Sequence, residues 1–215
     1  MSKPYSESDL SSLLDSELTW RRRELSDLKS AILSADTISK RVLLRALVAM
    51  AYAHWEGYVR ASAEKYFTHI TLKKRFFREL DQQFYMNSFL ARLDAFFQSK
   101  RSTQKSCEFI TSVLASEDSR FSFINKDIID TKSNLNADVI KDLCFVCGFN
   151  GDFFESKRIF IDVTLLKRRN AIAHGQDEGI DISAVDEVIN ETLALMSHFR
   201  TLIENKIYTK AYLRV

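Results

Sequence analysis

Leu165-Leu166-Lys167-Arg168-Arg169-Asn170-Ala171-Ile172-Ala173-His174-Gly175 is a helix-forming segment that carries an arginine pair, an amide and an imidazole, then stops at a glycine. Its apolar residues suit a core-facing helix, and Gly175 stands where the left-handed residue past a helix C-terminus belongs. Polar groups on such a segment are costly to bury unless they find partners or are put to use. A motif of this kind needs a helical scaffold around it.

The composition supplies one. The 215 residues include a single proline, Pro4, and five glycines, too few turn formers for a β-rich fold, so the chain is read as all-α. With 46% hydrophobic and 28% charged residues it belongs with ordinary globular proteins and can bury a sizeable core. The net charge of +2 is too small to argue for nucleic acid or membrane, so any basic patch must be local. Sixteen phenylalanines point to a dense core or an apolar self-association surface. Three cysteines without a secretory leader predict a reducing, cytoplasmic setting. The most apolar run, Val42 to Val59, is interrupted by Arg45, His54 and Glu56, which predicts a buried helix and no membrane span.

Outward from the motif, helices follow one another. Leu10, Leu14, Leu18, Leu25, Leu28 and Ile32 form one stripe, with Arg21, Arg22 and Arg23 read as a solvated face. Asp36 caps a long helix over roughly 37 to 69, in which Gly57 implies a close neighbour. From Thr71 to Lys100 the pattern is helical but rougher. There Lys73, Lys74, Arg75 and Arg78 beside Phe76 and Phe77 read as the wet side of an amphipathic helix in preference to a single-strand RNA contact. A helix over Thr103 to Ala115 is followed by a loop-rich segment, 116–135, inside what is read as one domain spanning 1–215. Asn136 caps a helix to Cys147, ended by Gly148, and the motif helix begins near Phe154. Gln176 to Asp181 is a polar loop, and Ser183 and Asp186 fit a capping box for the last helix.

Few constellations carry chemistry. Cys144 and Cys147 form a CxxC at a helix end without a second ligand pair, so they read as buried thiols, and no metal or cofactor is expected. His54, on an apolar stripe, reads as a core histidine. No phosphate loop, nucleophile elbow or HExxH sequence is present. In the motif, Asn170 and His174 are four apart and share a helix face that extends the stripe Ile159, Val163, Leu166. Arg169 is offset by one position, but its long fork can reach the same spot. Imidazole is the side chain suited to general acid–base work near neutral pH, and a guanidinium suits a phosphate or phosphorane-like transition state. That pairing is the minimum for cutting RNA through its own 2′-hydroxyl. The bland alternative, that Arg169 and His174 cap a helix end and pair with carboxylates, stands equally on the residues alone.

Arg169-Asn170-Ala171-Ile172-Ala173-His174 resembles the mark of the HEPN superfamily, an arginine followed after four to six residues by a histidine. Arg168 fits at a spacing of five, but the polar Asn170 after the arginine favours Arg169. Ala53-His54-Trp55-Glu56-Gly57-Tyr58-Val59 is similar to a stretch in bacterial stand-alone HEPN ribonucleases of about this length. The resemblance implies a HEPN-like helical bundle with additional helices, dimeric through the motif-bearing helices, so that two motifs share one cleft. It implies metal-independent RNA cleavage to a 2′,3′-cyclic phosphate and a 5′-hydroxyl, in toxin–antitoxin or antiphage defence, with an antitoxin or defence partner protein. Arg169 would hold the scissile phosphate, His174 would act as acid or base, Asn170 would orient one of them, and Arg168 and Lys167 would bind RNA. The tyrosine that one toxin branch carries two residues past the histidine is Gln176 here. The rival reading is a non-catalytic HEPN module binding RNA, nucleotide or protein.

Overall fold

The computed structural model describes residues 3–98 and 102–214, and among these it is all-α. Two long helices, α1 (Glu7–Ser34) and α2 (Thr37–Leu72), run back along one another, joined at Ala35-Asp36. Asp36 caps α2 as expected, its Oδ1 accepting from the Ile38 and Ser39 amides at 2.9 Å each. Ser6 and Asp9 form a capping box at the start of α1 that sequence reading passed over. A third long helix, α9 (Val185–Tyr208), packs on both. The predicted box at Ser183 and Asp186 does not form: α9 starts on a 3₁₀ turn, Ile182–Ala184, with no side-chain cap.

The seam of these three helices is the core. Leu10, Leu14, Leu18, Leu25 and Ile32 of α1 are buried, as the stripe predicts. They meet Trp55, Tyr58 and Val59 of α2 and Leu195, Phe199 and Ile203 of α9 in one apolar cluster. Arg21 departs from the expected solvated face. Only 6% exposed, it pairs with the Glu17 carboxylate and lies over the Trp20 and Tyr58 rings at 4.3 and 5.6 Å. A buried guanidinium survives this way because a carboxylate and two aromatic faces replace its water. Arg21 is also the close neighbour that Gly57 implied, since a Cβ there would meet its Nη2 at 3.4 Å.

Beyond α2 the basic cluster does not lie on one helix. Residues 73–76 turn, Phe77–Glu79 makes a 3₁₀ turn, and the guanidinium groups of Arg78 and Arg120 lie over the Phe76 ring at 5.0 and 4.3 Å. Arg75 and Arg78 are already paired with Glu79 and Asp118. Then come α3 (Gln82–Asn87), α4 (Leu90–Gln98) and α5 (Thr103–Ala115); the predicted helix tail at Ser99 and Lys100 lies outside the described residues. The segment read as loop, 116–135, has turns at Ser116–Asp118 and Lys126–Ile129 but buries Phe121, Ile129 and Leu135. It crosses the core and is not a detached hinge.

Asn136 caps α6 (Ala137–Cys147) through Oδ1 to the Val139 amide, and Gly148 closes it at φ +71°. Cys144 and Cys147 are buried free thiols, and burial pushes the Cys144 thiol up to about 12. The motif helix is interrupted where a regular one was expected. A short α7 (Asp152–Ser156) breaks at Lys157, and Phe160–Lys167 winds as a π-helix before α8 (Arg168–Ala173). Asp162, within the π turns, accepts from the Ala137 amide at 2.7 Å and so ties this stretch to the start of α6. π turns are rare and concentrate at functional sites. No helix among the described residues is long and apolar enough to cross a membrane.

Candidate functional site

The end of α8 is built as the sequence suggests. His174 takes the C-cap position, Gly175 follows at φ +76°, and Gly175 N and Gln176 N donate to the carbonyls of Ile172 and Ala171. That is a Schellman closure, and it leaves the His174 side chain exposed at the helix end.

A groove of about 450 Å³ opens beside it. Val163, Lys167, Asn170 and His174 recur along one side of the helix and line it, with Arg168 on its flank. Lys167, Arg168 and His174 make no side-chain hydrogen bond or ion pair with any described residue. Three potential cations or donors therefore face solvent around one concavity, ready for an anion. Glu178, across the groove, is the carboxylate in its wall.

Arg169 points elsewhere. Its guanidinium lies 4.1 Å over the ring of Tyr52, and its Nη2 donates to the Ser133 carbonyl at 2.9 Å. Its Nε is buried with no hydrogen-bond partner. Tyr52, 2% exposed, accepts from the Leu135 amide at 2.6 Å, and one turn further along α2 Glu56 Oε1 accepts from the Thr131 hydroxyl at 2.7 Å. Burial raises the Tyr52 phenol above its ordinary range, Glu56 raises it further, and Arg169 opposes both. Asn170 reaches the same loop, 3.5 Å from Asn134 Oδ1. Within that loop Lys132 and Ser133 both hold left-handed backbone, φ 53° and 52°, which non-glycine residues adopt at a cost. Tyr52, Glu56 and Arg169 thus clamp a strained loop against the back of the motif.

Of the five residues singled out in the motif, Lys167, Arg168, Asn170 and His174 share the groove, and Arg169 does not line it. Sequence reasoning passed over Tyr52 and Ser133, and named Glu56 only within the Ala53–Val59 stretch. The spacing of Tyr52 and Glu56 by four on an apolar helix was the one available signal. His54 faces the other way. It packs edge-on against Trp20 at 5.2 Å, with Nε2 3.1 Å from Glu24 but without hydrogen-bond geometry. Burial holds its pKa below the ordinary 6.5, against the pull of Glu24. It is a core histidine, as read. Among the described residues no three His, Cys, Asp or Glu side chains are grouped to hold a metal ion.

The model of the RiboL-PSP-HEPN family matches residues 16–205, which takes in most of α1, all of α2, the clamped loop, the motif and most of α9. The chain belongs to the RiboL-PSP-HEPN family. The all-α architecture is accordingly a HEPN fold, and HEPN membership points to an RNase-like or RNA-binding module. No curated protein and no solved structure matches the chain. The RiboL-PSP-HEPN match ends past the groove on α9, so the whole motif lies inside it.

Proposed function

We propose that this RiboL-PSP-HEPN chain, read as one domain, is a metal-independent endoribonuclease. The observation that carries the reading is the convergence of unpartnered Lys167, Arg168 and His174 with Asn170 on one groove. In the reaction the 2′-hydroxyl loses its proton as O2′ attacks the adjacent phosphorus. The P–O5′ bond then breaks and O5′ takes up a proton, leaving a 2′,3′-cyclic phosphate. An imidazole can make either proton transfer, and a guanidinium can hold the charge that builds on the non-bridging oxygens. His174 takes the first role, and Asn170 orients it or the phosphate.

The arginines divide the work. Arg168 lies on the groove, so it contacts the scissile phosphate, while Arg169 positions the loop behind the motif through Ser133 and Tyr52. Both spacings to His174, five and four residues, fall within the family mark. A single chain supplies one His174. A homodimer through the motif-bearing helices supplies a second, so that one acts as base and the other as acid. Ile159 and Val163, 78% and 45% exposed on that helix, are the apolar surface that suits such a contact. They were expected to be core as well as seam, and in the single chain they face outward. A role in toxin–antitoxin or antiphage defence beside a partner protein, which rests on the resemblance, and action in the cytoplasm, which rests on the free cysteines, complete the proposal.

The engaged state of Arg169 favours the rival reading, a module that binds RNA without cutting it. Incubating the protein with RNA in EDTA, beside His174→Ala and Arg168→Ala, separates the two. The nuclease reading expects wild-type cleavage to cyclic-phosphate ends and loss of at least about 100-fold in His174→Ala. RNA bound but left intact by the wild type would establish the module instead.

A further inference from the structure

The groove at His174 does not end at Arg168. That residue also walls a second cavity of about 540 Å³, between the first turns of α2 and the Gln176–Asp181 loop. Its other cations are Lys40, Arg41 and Arg45. Arg41 Nη2 pairs with Asp177 Oδ2, Arg45 Nη1 lies 3.5 Å from Asp177 Oδ1, and Arg45 Nη2 donates to the Gln176 carbonyl at 2.9 Å. Lys40 and Arg168 have no ion-pair partner among the described residues. One carboxylate therefore sits between two guanidinium groups, in a concavity that two further unpaired cations share.

A carboxylate set between two guanidinium groups occupies the position a phosphodiester would take, because the two anions offer the same paired oxygens. We propose that Arg41 and Arg45 form a binding site for an RNA backbone phosphate flanking the scissile one, and that Asp177 fills it until RNA displaces the carboxylate. This rests on the reading of the His174 groove as an RNA site. The occupant is weakly held. Arg41 and Asp177 side chains are 70% and 65% exposed, where an ion pair contributes little. An RNA strand crossing from His174 gains Arg168 and Lys40 as well as the vacated pair, so the exchange favours RNA. The positive end of the α2 dipole adds to the same field. Asp177 is also three residues past His174, on a loop whose side chains Asp177, Glu178 and Asp181 line the cavity, so the carboxylate can swing out while Ile180 keeps the loop packed against the core.

The test is fluorescence anisotropy with an all-2′-O-methyl oligoribonucleotide, which binds as RNA but has no 2′-hydroxyl to react, over a range of salt. Asp177→Asn is expected to bind several-fold tighter than wild type, a gain that misfolding cannot produce. The Arg41→Ala/Arg45→Ala pair is expected to bind about tenfold weaker, with a log–log salt slope shallower by about 0.7, the loss of one single-strand phosphate contact. Unchanged affinity in both variants, or weaker binding by Asp177→Asn, overturns the proposal. Cleavage of unmodified RNA by the same proteins is scored separately. Intact RNA with the affinity shifts present ends the nuclease reading and keeps the phosphate site, and cleavage without the shifts does the reverse.

Discussion

Arg169 lies with its guanidinium 4.1 Å over the Tyr52 ring, and the adjacent Arg168 faces the groove that holds His174. Neighbouring residues on a helix point about 100° apart, and that offset turns Arg169 inward while Arg168 stays on the groove. On the proposed reading the inner arginine supports structure and the outer one binds RNA. Arg169→Ala should therefore cost about 1–2 kcal/mol of stability, from the lost contact with the buried Tyr52 ring and the lost hydrogen bond to Ser133. Amide exchange at Leu135 should quicken with it. Arg168→Ala should stay within about 0.5 kcal/mol of wild type in melting while losing RNA cleavage. Melting curves, hydrogen exchange and a cleavage assay on both variants decide it, and the opposite pattern would exchange the two roles.

Gly57 gives a prediction whose sign depends on side-chain size. A methyl group there would touch Arg21 Nη2 at 3.4 Å, an ordinary contact with the end of a flexible side chain. Replacing a mid-helix glycine by alanine gains up to about 1 kcal/mol from backbone entropy. Gly57→Ala should thus be neutral to slightly stabilising. Gly57→Leu should destabilise, because it must push Arg21 off Glu17 and the Tyr58 ring. Thermal melts of the two variants suffice, and a destabilised alanine variant would show the packing at Arg21 to be tighter than the geometry indicates.

Glu17 sets a pH limb. Burial pushes its carboxyl up, but hydrogen bonds from Lys65, at 2.8 Å, and from Arg21 outweigh this and hold it at about 2 against an ordinary 4.5. A depressed carboxylate contributes stability that is present above its unfolded value and disappears as pH falls through the folded one. The contribution should therefore fade between pH 4.5 and about 2. Glu17→Gln should lower stability at pH 7 by about 2–3 kcal/mol, since it leaves Arg21 charged and buried, and should flatten the acid limb. Denaturant titrations at several pH values test both halves; equal acid sensitivity in wild type and variant would assign the limb to other groups.

These cases show how much could be read beforehand. The leucine stripe of α1, the Asp36 cap and the Asn136–Gly148 helix follow local rules of period and capping, and all three stand in the structure. Arg21 was misplaced because three arginines in a row look solvated, and only the partner helix supplies Glu17's counterpart Lys65 and the Tyr58 ring. Val163, Asn170 and His174 share the groove as their spacing suggests, but Leu166 of the same predicted stripe packs against the core and Lys167 lines the groove in its place. The π turns of Phe160–Lys167 were not legible, because no local signal distinguishes them from α-helix. Contacts such as Arg169 with Ser133, 36 residues apart, lie outside any window of periodicity.

The same helix carries the last prediction. Ile159 and Val163 are apolar, exposed and on the side of the helix that leads to Asn170 and His174. On the proposed reading these exposed apolar groups are the seam for a second copy that covers them and supplies the other His174. Sedimentation at micromolar concentration should then give a dimer, and Ile159→Glu/Val163→Glu should give a folded monomer with wild-type helicity. Its RNA cleavage should fall with the dimer fraction. Mixing His174→Ala chains with wild type adds a finer measure: if each cleft needs both histidines, heterodimers are inactive and activity falls as the square of the wild-type fraction. A linear fall, or a monomer that cuts RNA at full rate, would place the whole reaction within one chain.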